Sequence, residues 1–458
     1  MLSDPTTTVL GPDPAHRRCV LNGNAFQQDA LISFNGWQYA AFYASASPAA
    51  PEPLYVHLAR RELPRGSWEV LRLDDYVQTV DDGHNTVQMG ICHGDGTIHL
   101  AYDHHCDILR FRISIPSLAL SPNSHAWTPT LFSPTQSHLP GLPASHKPFH
   151  YITYPRFLSS HPSGSLYLTF RDGKAGLGND HLYLYSPSPS PSQTYTYKII
   201  GQFLTGINSN PYIHGLDSDI HGKIHITWVW RGFVPYDGWD DPSDTKHKTQ
   251  AGPNGMENNF DLCYVWSGDG GWTWRGTDGE VVADLSGRDE EKKKTVDGEC
   301  DGGVTVWRVG KGRGLMNQEA QAVDCEGGVH VLNRDWDGED GYWWRHYYRE
   351  PMGGTWTKRA VRPITGTKRG KLAVSRGGDL YLILPDSLTP TIRILKATRT
   401  DGYSSYQQVW EGGGYSGEPL VDSARLRSED ILSIFVRRDV HGETERKEVV
   451  VLDFALEG

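Results

Sequence analysis

A chain of 458 residues with 50 glycines and 28 prolines, about a sixth of its length, has no room for long helices, and its 15 Trp, 22 Tyr and 13 Phe favour strands. With 44 basic against 55 acidic side chains the net charge is −11, which excludes a general nucleic-acid or polyanion-binding surface, because phosphate contacts need clustered Lys and Arg. No apolar run reaches the roughly 18 residues that span a bilayer, so no membrane partner is expected, and residues 1–20 lack the apolar stretch of a signal peptide; the chain as written is expected to be a soluble monomer, cytoplasmic unless exported by another route or supplied in mature form.

Taken in chain order, one pattern recurs: a turn holding Gly, Asn or Asp, then a short strand alternating aliphatic or aromatic residues with smaller or polar ones. It reads NGWQYAAFYA from Asn35, DGTIHLAYD from Asp95, SGSLYLTFRD from Ser163 and HGKIHITWVWR from His221. It continues as GGVHVLNRD from Gly327, GGDLYLILPD from Gly377 and SEDILSIFVRRD from Ser428. Seven copies, about 50 to 70 residues apart except for one interval of about 105, predict an all-β fold: a seven-bladed β-propeller of antiparallel four-stranded blades. We read residues 1–458 as a single domain, since no composition shift marks the boundary that a β-sandwich with appended domains would need.

A blade takes about 40 to 50 residues, so the surplus must sit in insertions. Pro/Ser-rich segments near 119–148 and 185–194 read as loops, and charged segments near 237–258 and 286–303 as solvated excursions. Ser267-Gly268-Asp269-Gly270-Gly271-Trp272-Thr273-Trp274 resembles the Asp-box turn of sialidase-like blades, in which the Asp accepts backbone N–H bonds and a Trp packs between blades. The six cysteines (Cys19, Cys92, Cys106, Cys263, Cys300, Cys325) are dispersed with no C-x-x-C, so free thiols are expected; Cys92 and Cys106 are the one pair within a single apparent hairpin.

A propeller places its ligand site at one mouth of the central channel, among loops and the ends of the innermost strands. The segment GHNTVQMGICHGDGTIHLAYDHHCDILRFRIS, residues 83–114, holds five histidines. His99 lies within a repeat strand at the position where His225 and His330 recur, so these three read as scaffold, and His93 reads as a turn residue. His84 begins a strand and His105 ends the next, so both could face one mouth; two turn or capping histidines is an equal alternative at this point. Further on, LYLTFRDGKAGLGN carries Arg171 at a strand end beside permissive glycines, placed either to meet an anionic ligand or to pair with Asp172. That loop lacks the Lys and following helix of a phosphate loop. Tyr154 lies in TYPRF, and Asn208, Tyr212 and Arg231 follow in the next unit; Asn85 and Asn259 are further polar residues at strand starts.

Histidine, tyrosine and arginine at one mouth suit one reaction well. Eliminating a substituent β to a uronate carboxylate needs a cation for the developing enediolate, a base for the C5 proton and an acid for the departing O4. The run GHNTVQMGICHGDGTIHLAYDHHCDILRFR, followed by TYPRF and FRDGKAGLGN, resembles the BNR-type propeller family that contains ulvan lyases and, more closely, fungal L-rhamnose-α-1,4-D-glucuronate lyases. The resemblance implies that His84 and His105 are the active-site histidines, Tyr154 the catalytic tyrosine, Arg171 the neutralising arginine, and Tyr212 and Arg231 substrate-binding positions. It implies a lyase acting on a 1,4-linkage to D-glucuronate in a polysaccharide such as gum arabic or ulvan, with His105 the first choice for base, Tyr154 its partner in proton transfer and His84 orienting or sharing that role. Asn85, Asn208 and Asn259 are added as substrate-binding candidates. No cofactor is required; a structural Ca²⁺ is conceivable, but Asp217, Asp219 and Asp337 are too scattered to form a recognisable site. A sialidase-like exo-glycosidase, which needs paired carboxylates or an Arg triad with a Tyr nucleophile, and a non-catalytic carbohydrate-binding propeller are the competing readings.

Overall fold

Each of the seven repeats is the second strand of its own antiparallel sheet in the computed structural model, which describes all residues except 48–49, 161, 188–195, 242, 250–251, 288–293, 299–302, 337, 339–340, 441–445 and 457–458. These strands are Trp37–Ser47, Ile98–Tyr102, Leu166–Asp172, Ile224–Gly232, Val329–Trp336, Leu380–Pro385 and Ile431–Val440, one per blade from blade 1 to blade 7. The strand before each is the innermost: Leu31–Phe34, Val87–Ile91, Ile152–Ser159, Ser209–Ser218, Ala320–Val323, Lys371–Val374 and Tyr415–Val421. Successive innermost strands neighbour one another around the channel. The ring closes because Thr6–Pro12 pairs antiparallel with Arg446–Ala455, so the chain's first strand completes blade 7.

Local sequence explains the hairpins. Asn35 and Gly36, at φ 51° and 76°, form the two-residue turn between Phe34 and Trp37, and only residues tolerant of positive φ serve there. The predicted Asp-box turn forms: Asp269 accepts from the backbone N–H of Trp272 and Thr273 at 3.1 and 2.9 Å, and fully buried Trp274 stacks on Phe203 of blade 3 with ring centroids 4.8 Å apart. The repeat histidines are scaffold. His99 and His225 meet the hydroxyls of Tyr197 and Tyr264, both at 2.8 Å, and His330 meets His346 at 3.0 Å.

Among the described residues, blades 1, 5, 6 and 7 have the predicted four strands, whereas blade 2 has three and blades 3 and 4 have six each. The Pro-rich segment near 119–148 covers the open edge of blade 2: Gln136 and Phe132 bridge Phe111 and Ser114, and Leu131, Phe132 and Leu139 are buried. Blade 3 gains His105–Asp107 on its inner edge, a strand contributed by the loop of blade 2. Most described residues of the segment near 237–258 are exposed or half-buried, and three of them, Lys248, Gly255 and Met256, line a cleft described below. Much of 185–194 and 286–303, with Cys300 and Asp337, lies outside the described residues. The other five cysteines are free, Cys92 and Cys106 included. Among the described residues no helix is long and apolar enough to cross a membrane.

Candidate active site

Antiparallel blades explain why the singled-out residues meet. His84 precedes the innermost strand of blade 2, while Tyr154 and Tyr212 lie near the starts of those of blades 3 and 4. Second strands run the opposite way, so their ends, carrying Arg171 and Arg231, reach the same mouth. His84, His105, Tyr154, Arg171, Tyr212 and Arg231 all line one cleft of about 480 Å³. A larger cavity of about 850 Å³ occupies the channel toward the opposite mouth, where His93 lies, stacked on Phe34.

Two bulges aim the key side chains. His105 is the register partner of Thr153, and the pairing slips beside it where Cys106 takes φ 55°. On the partner strand the register slips again between Thr153 and Arg156, where Tyr154 takes φ 57°. A bulge turns a side chain out of the ladder, and a left-handed non-glycine residue costs about 1–3 kcal/mol, a strain that concentrates at functional positions. The Thr153 hydroxyl accepts the Cys106 N–H at 2.9 Å and ties the two irregularities together.

The histidines form one unit. Their rings are stacked with centroids 3.8 Å apart and 15° between planes, and each Nδ1 lies 2.6 Å from a different oxygen of Asp82. Phe26 stacks on the other face of His84 at 4.7 Å, and the Arg369 guanidinium caps Phe26 at 4.7 Å. Burial pushes His105 down to about 4, helped by the neighbouring His84 and opposed by Asp82. Burial disfavours the charge on Asp82, yet the two imidazole contacts hold its carboxyl below the usual range. These contacts are hydrogen-bond lengths, and Asp82, His84 and His105 are the one group of three potential metal ligands among the described residues.

The Arg171 guanidinium lies 4.9 Å from the Tyr154 ring centroid and 5.3 Å from that of Tyr212. It is buried, and its Nε and Nη1 make no hydrogen bond to any of the described residues. The glycine-rich loop allows this placement: a Cβ on Gly178 would sit 2.5 Å from the Arg171 Cδ. The pair with Asp172 does not form; Asp172 lies 3.8 Å from His181 instead. Arg231 donates to Tyr212 Oη at 3.1 Å and to Asn259 Oδ1 at 2.8 Å. Burial raises the pKa of Tyr154 above the ordinary phenol range, reinforced by Tyr212 and opposed by Arg171, Arg231 and Arg369.

The three asparagines expected to meet substrate are placed differently. Asn85 is buried behind the cleft and donates to Asp103 at 2.7 Å. Asn259 supports Arg231 from behind and donates to the Leu315 carbonyl. Asn208 is exposed in the turn before blade 4, its carbonyl accepting the Phe233 N–H, because positive φ there suits Asn. His104 turns inward, where its Nε2 accepts the Arg110 N–H, leaving His105 on the cleft. Sequence reasoning missed Asp82, Phe26, Lys248, Arg369 and Glu418; Asp82 alone carried a signal, standing two residues before His84. Asp217 is paired with Arg427 at 2.7 Å, and Asp219 accepts the His221 N–H in its own turn.

A seven-bladed propeller with one such polar mouth is the class of protein defined by fold and site. The chain belongs to the BNR repeat-containing family, whose profile matches residues 37–363. Among solved structures it is similar to the crystal structure of polysaccharide lyase Uly1, with 17% identity, a TM-score of 0.70 and 99% of each chain covered. It is also similar to an ulvan lyase of polysaccharide lyase family PL25, with 14% identity, a TM-score of 0.62, and 97% of this chain and 96% of that one covered. The latter is also solved bound to -[GlcA(1-4)Rha3S]-. At these identities the likeness is one of fold. No curated protein sequence matches the chain.

Proposed function

We propose that this protein is a polysaccharide lyase that cleaves a 1,4-linkage to D-glucuronate by β-elimination. The observation that carries the reading is the Arg171 guanidinium, buried, with two uncommitted nitrogens, in the same cleft as His105 and Tyr154. Among the described residues no carboxylate reaches Arg171 at ion-pair distance, Asp180 on the adjacent strand acting on it only at longer range, so a substrate carboxylate can supply the hydrogen-bonded partner that the two nitrogens lack. Lys248, Lys368, Arg369 and Arg231 line the same cleft, which makes it basic in a chain of net charge −11.

The proposed steps balance. Arg171 holds the uronate carboxylate and stabilises the enediolate; the neutral imidazole of His105 takes the C5 proton; the electron pair of the C5–H bond forms the C4–C5 double bond as C4–O4 breaks; and Tyr154 gives its proton to O4. Burial keeps His105 unprotonated and Tyr154 protonated near neutral pH, the states that base and acid need. Tyr212, held by Arg231, forms the neighbouring wall. A two-carboxylate hydrolase is disfavoured because the nearby acids are occupied: Asp82 by two imidazoles, and Glu418 by the N–H groups of Ala25 and Arg369.

L-Rhamnosyl-α-1,4-D-glucuronate is the linkage we favour, supported by the motif resemblance to fungal lyases of that linkage and by the GlcA(1-4)Rha3S repeat bound to the PL25 relative. Incubation with gum arabic, ulvan and glucuronan, monitored for unsaturated uronate, tests it: release from the rhamnose-containing polymers but not from glucuronan is expected, and the reverse would remove rhamnose from the reading.

A further inference from the structure

We infer that Asp82 is a positioning residue that fixes the tautomer of both stacked histidines, so that each keeps Nδ1–H toward Asp82 and turns the lone pair of Nε2 to the cleft. The inference rests on the lyase reading for its catalytic consequence, but its geometric content stands alone. A carboxylate only accepts, so an Nδ1 atom 2.6 Å from each of its oxygens must carry the hydrogen. The two oxygens are thereby divided between two stacked rings, centroids 3.8 Å apart and planes 15° from parallel, and in each ring Nε2 is the nitrogen not bonded to Asp82.

Asp82 is itself fixed. Its Oδ1 also accepts the backbone N–H of His84 at 2.9 Å, closing a turn that sets the distance to the His84 ring. Phe26, stacked on His84, prevents that ring from leaving the pair. Among the described residues, Arg171 and Tyr154 from blade 3 face the unit, with Arg369 beyond Phe26 and Lys248 paired to Asp107 at 2.8 Å. A lone histidine in this place would be free to rotate and to choose its tautomer; the tethered pair presents an acceptor toward the substrate in every turnover.

The test is a two-bond ¹H–¹⁵N correlation spectrum of histidine-labelled protein at neutral pH, with steady-state kinetics on Asp82→Asn and Asp82→Glu. In the wild type, His84 and His105 are expected to show protonated Nδ1 and unprotonated Nε2. Asp82→Asn offers one acceptor and one donor, so one ring should switch to Nε2–H; kcat should fall by about 10² or more, as for a wrong-tautomer imidazole, with KM changed by less than about threefold. Asp82→Glu keeps the acceptor pair and should retain both tautomers and more activity than Asp82→Asn. Nε2–H in both wild-type rings, or unchanged tautomers and kcat in Asp82→Asn, would overturn the inference. Nδ1–H in both rings of a protein that eliminates nothing from any uronate polymer would uphold the tether and sink the lyase reading alone.

Discussion

The Arg171 guanidinium lies over the ring of Tyr154, 4.9 Å from its centroid, with Nε and Nη1 uncommitted. The contact keeps a desolvated cation in place by its face while leaving its edge for a ligand, since the ring attracts charge without using hydrogen-bond donors. Arg171→Lys retains the charge but loses the planar fork, and we expect turnover to fall by about 10² or more with a smaller loss of binding. Steady-state kinetics check this; near-normal turnover would move the neutralising role to Arg231.

The two stacked histidines differ in exposure, with side-chain accessibilities of 27% for His84 and 8% for His105. His105 hangs from the strand bonded to Thr153, next to Tyr154, and is the proposed base. His105→Phe should abolish elimination while substrate still binds, and His84→Phe should keep measurable activity. Rate measurements paired with calorimetric binding decide it. A dead His84→Phe beside an active His105→Phe would exchange the roles.

Acid should act on both rate and stability. Burial pushes His105 down to about 4, so a base of that pKa gives a kcat/KM that rises as pH increases through about 4 and is level toward neutrality. His99 and His214 are pushed down to about 3 by burial. All three have folded pKa values below an unfolded value of about 6.5, so the unfolded chain binds more protons between these limits. Their contribution to stability is full above about 6.5 and is lost as pH falls toward 4 and 3. Thermal unfolding followed from pH 7 to pH 4 should show a falling midpoint; a midpoint that rises on acidification contradicts the sign.

Trp274 tests the packing between blades. It is fully buried and stacked on Phe203, so Trp274→Ala removes a large aromatic side chain from that interface and should cost about 3–5 kcal/mol in denaturant unfolding. A loss below about 1 kcal/mol would mean that the interface collapses around the gap.

The architecture was legible because a period-two pattern repeated seven times leaves few folds, and every repeat proved to be a second strand. His84, His105, Tyr154 and Arg171 were legible through family resemblance, and the fold brings all four to one cleft. What the sequence concealed depends on three dimensions. Phe26, Arg369 and Glu418 come from the start of the chain and from blades 6 and 7, and ring closure alone brings them to blades 2 and 3. The bulges at Cys106 and Tyr154 leave no composition signal, since neither residue is one that favours positive φ. Asn208 stands in a left-handed turn, and an asparagine suited to such a turn and one suited to a sugar hydroxyl look alike in a string of letters.

The central claim is elimination, and the most direct measurement follows two products in one reaction: ultraviolet absorbance of the unsaturated uronate and the number of new reducing ends, on gum arabic or ulvan. The account predicts that both rise together, one double bond per chain broken, and that both vanish in His105→Phe. New reducing ends without the chromophore would show hydrolysis and contradict it.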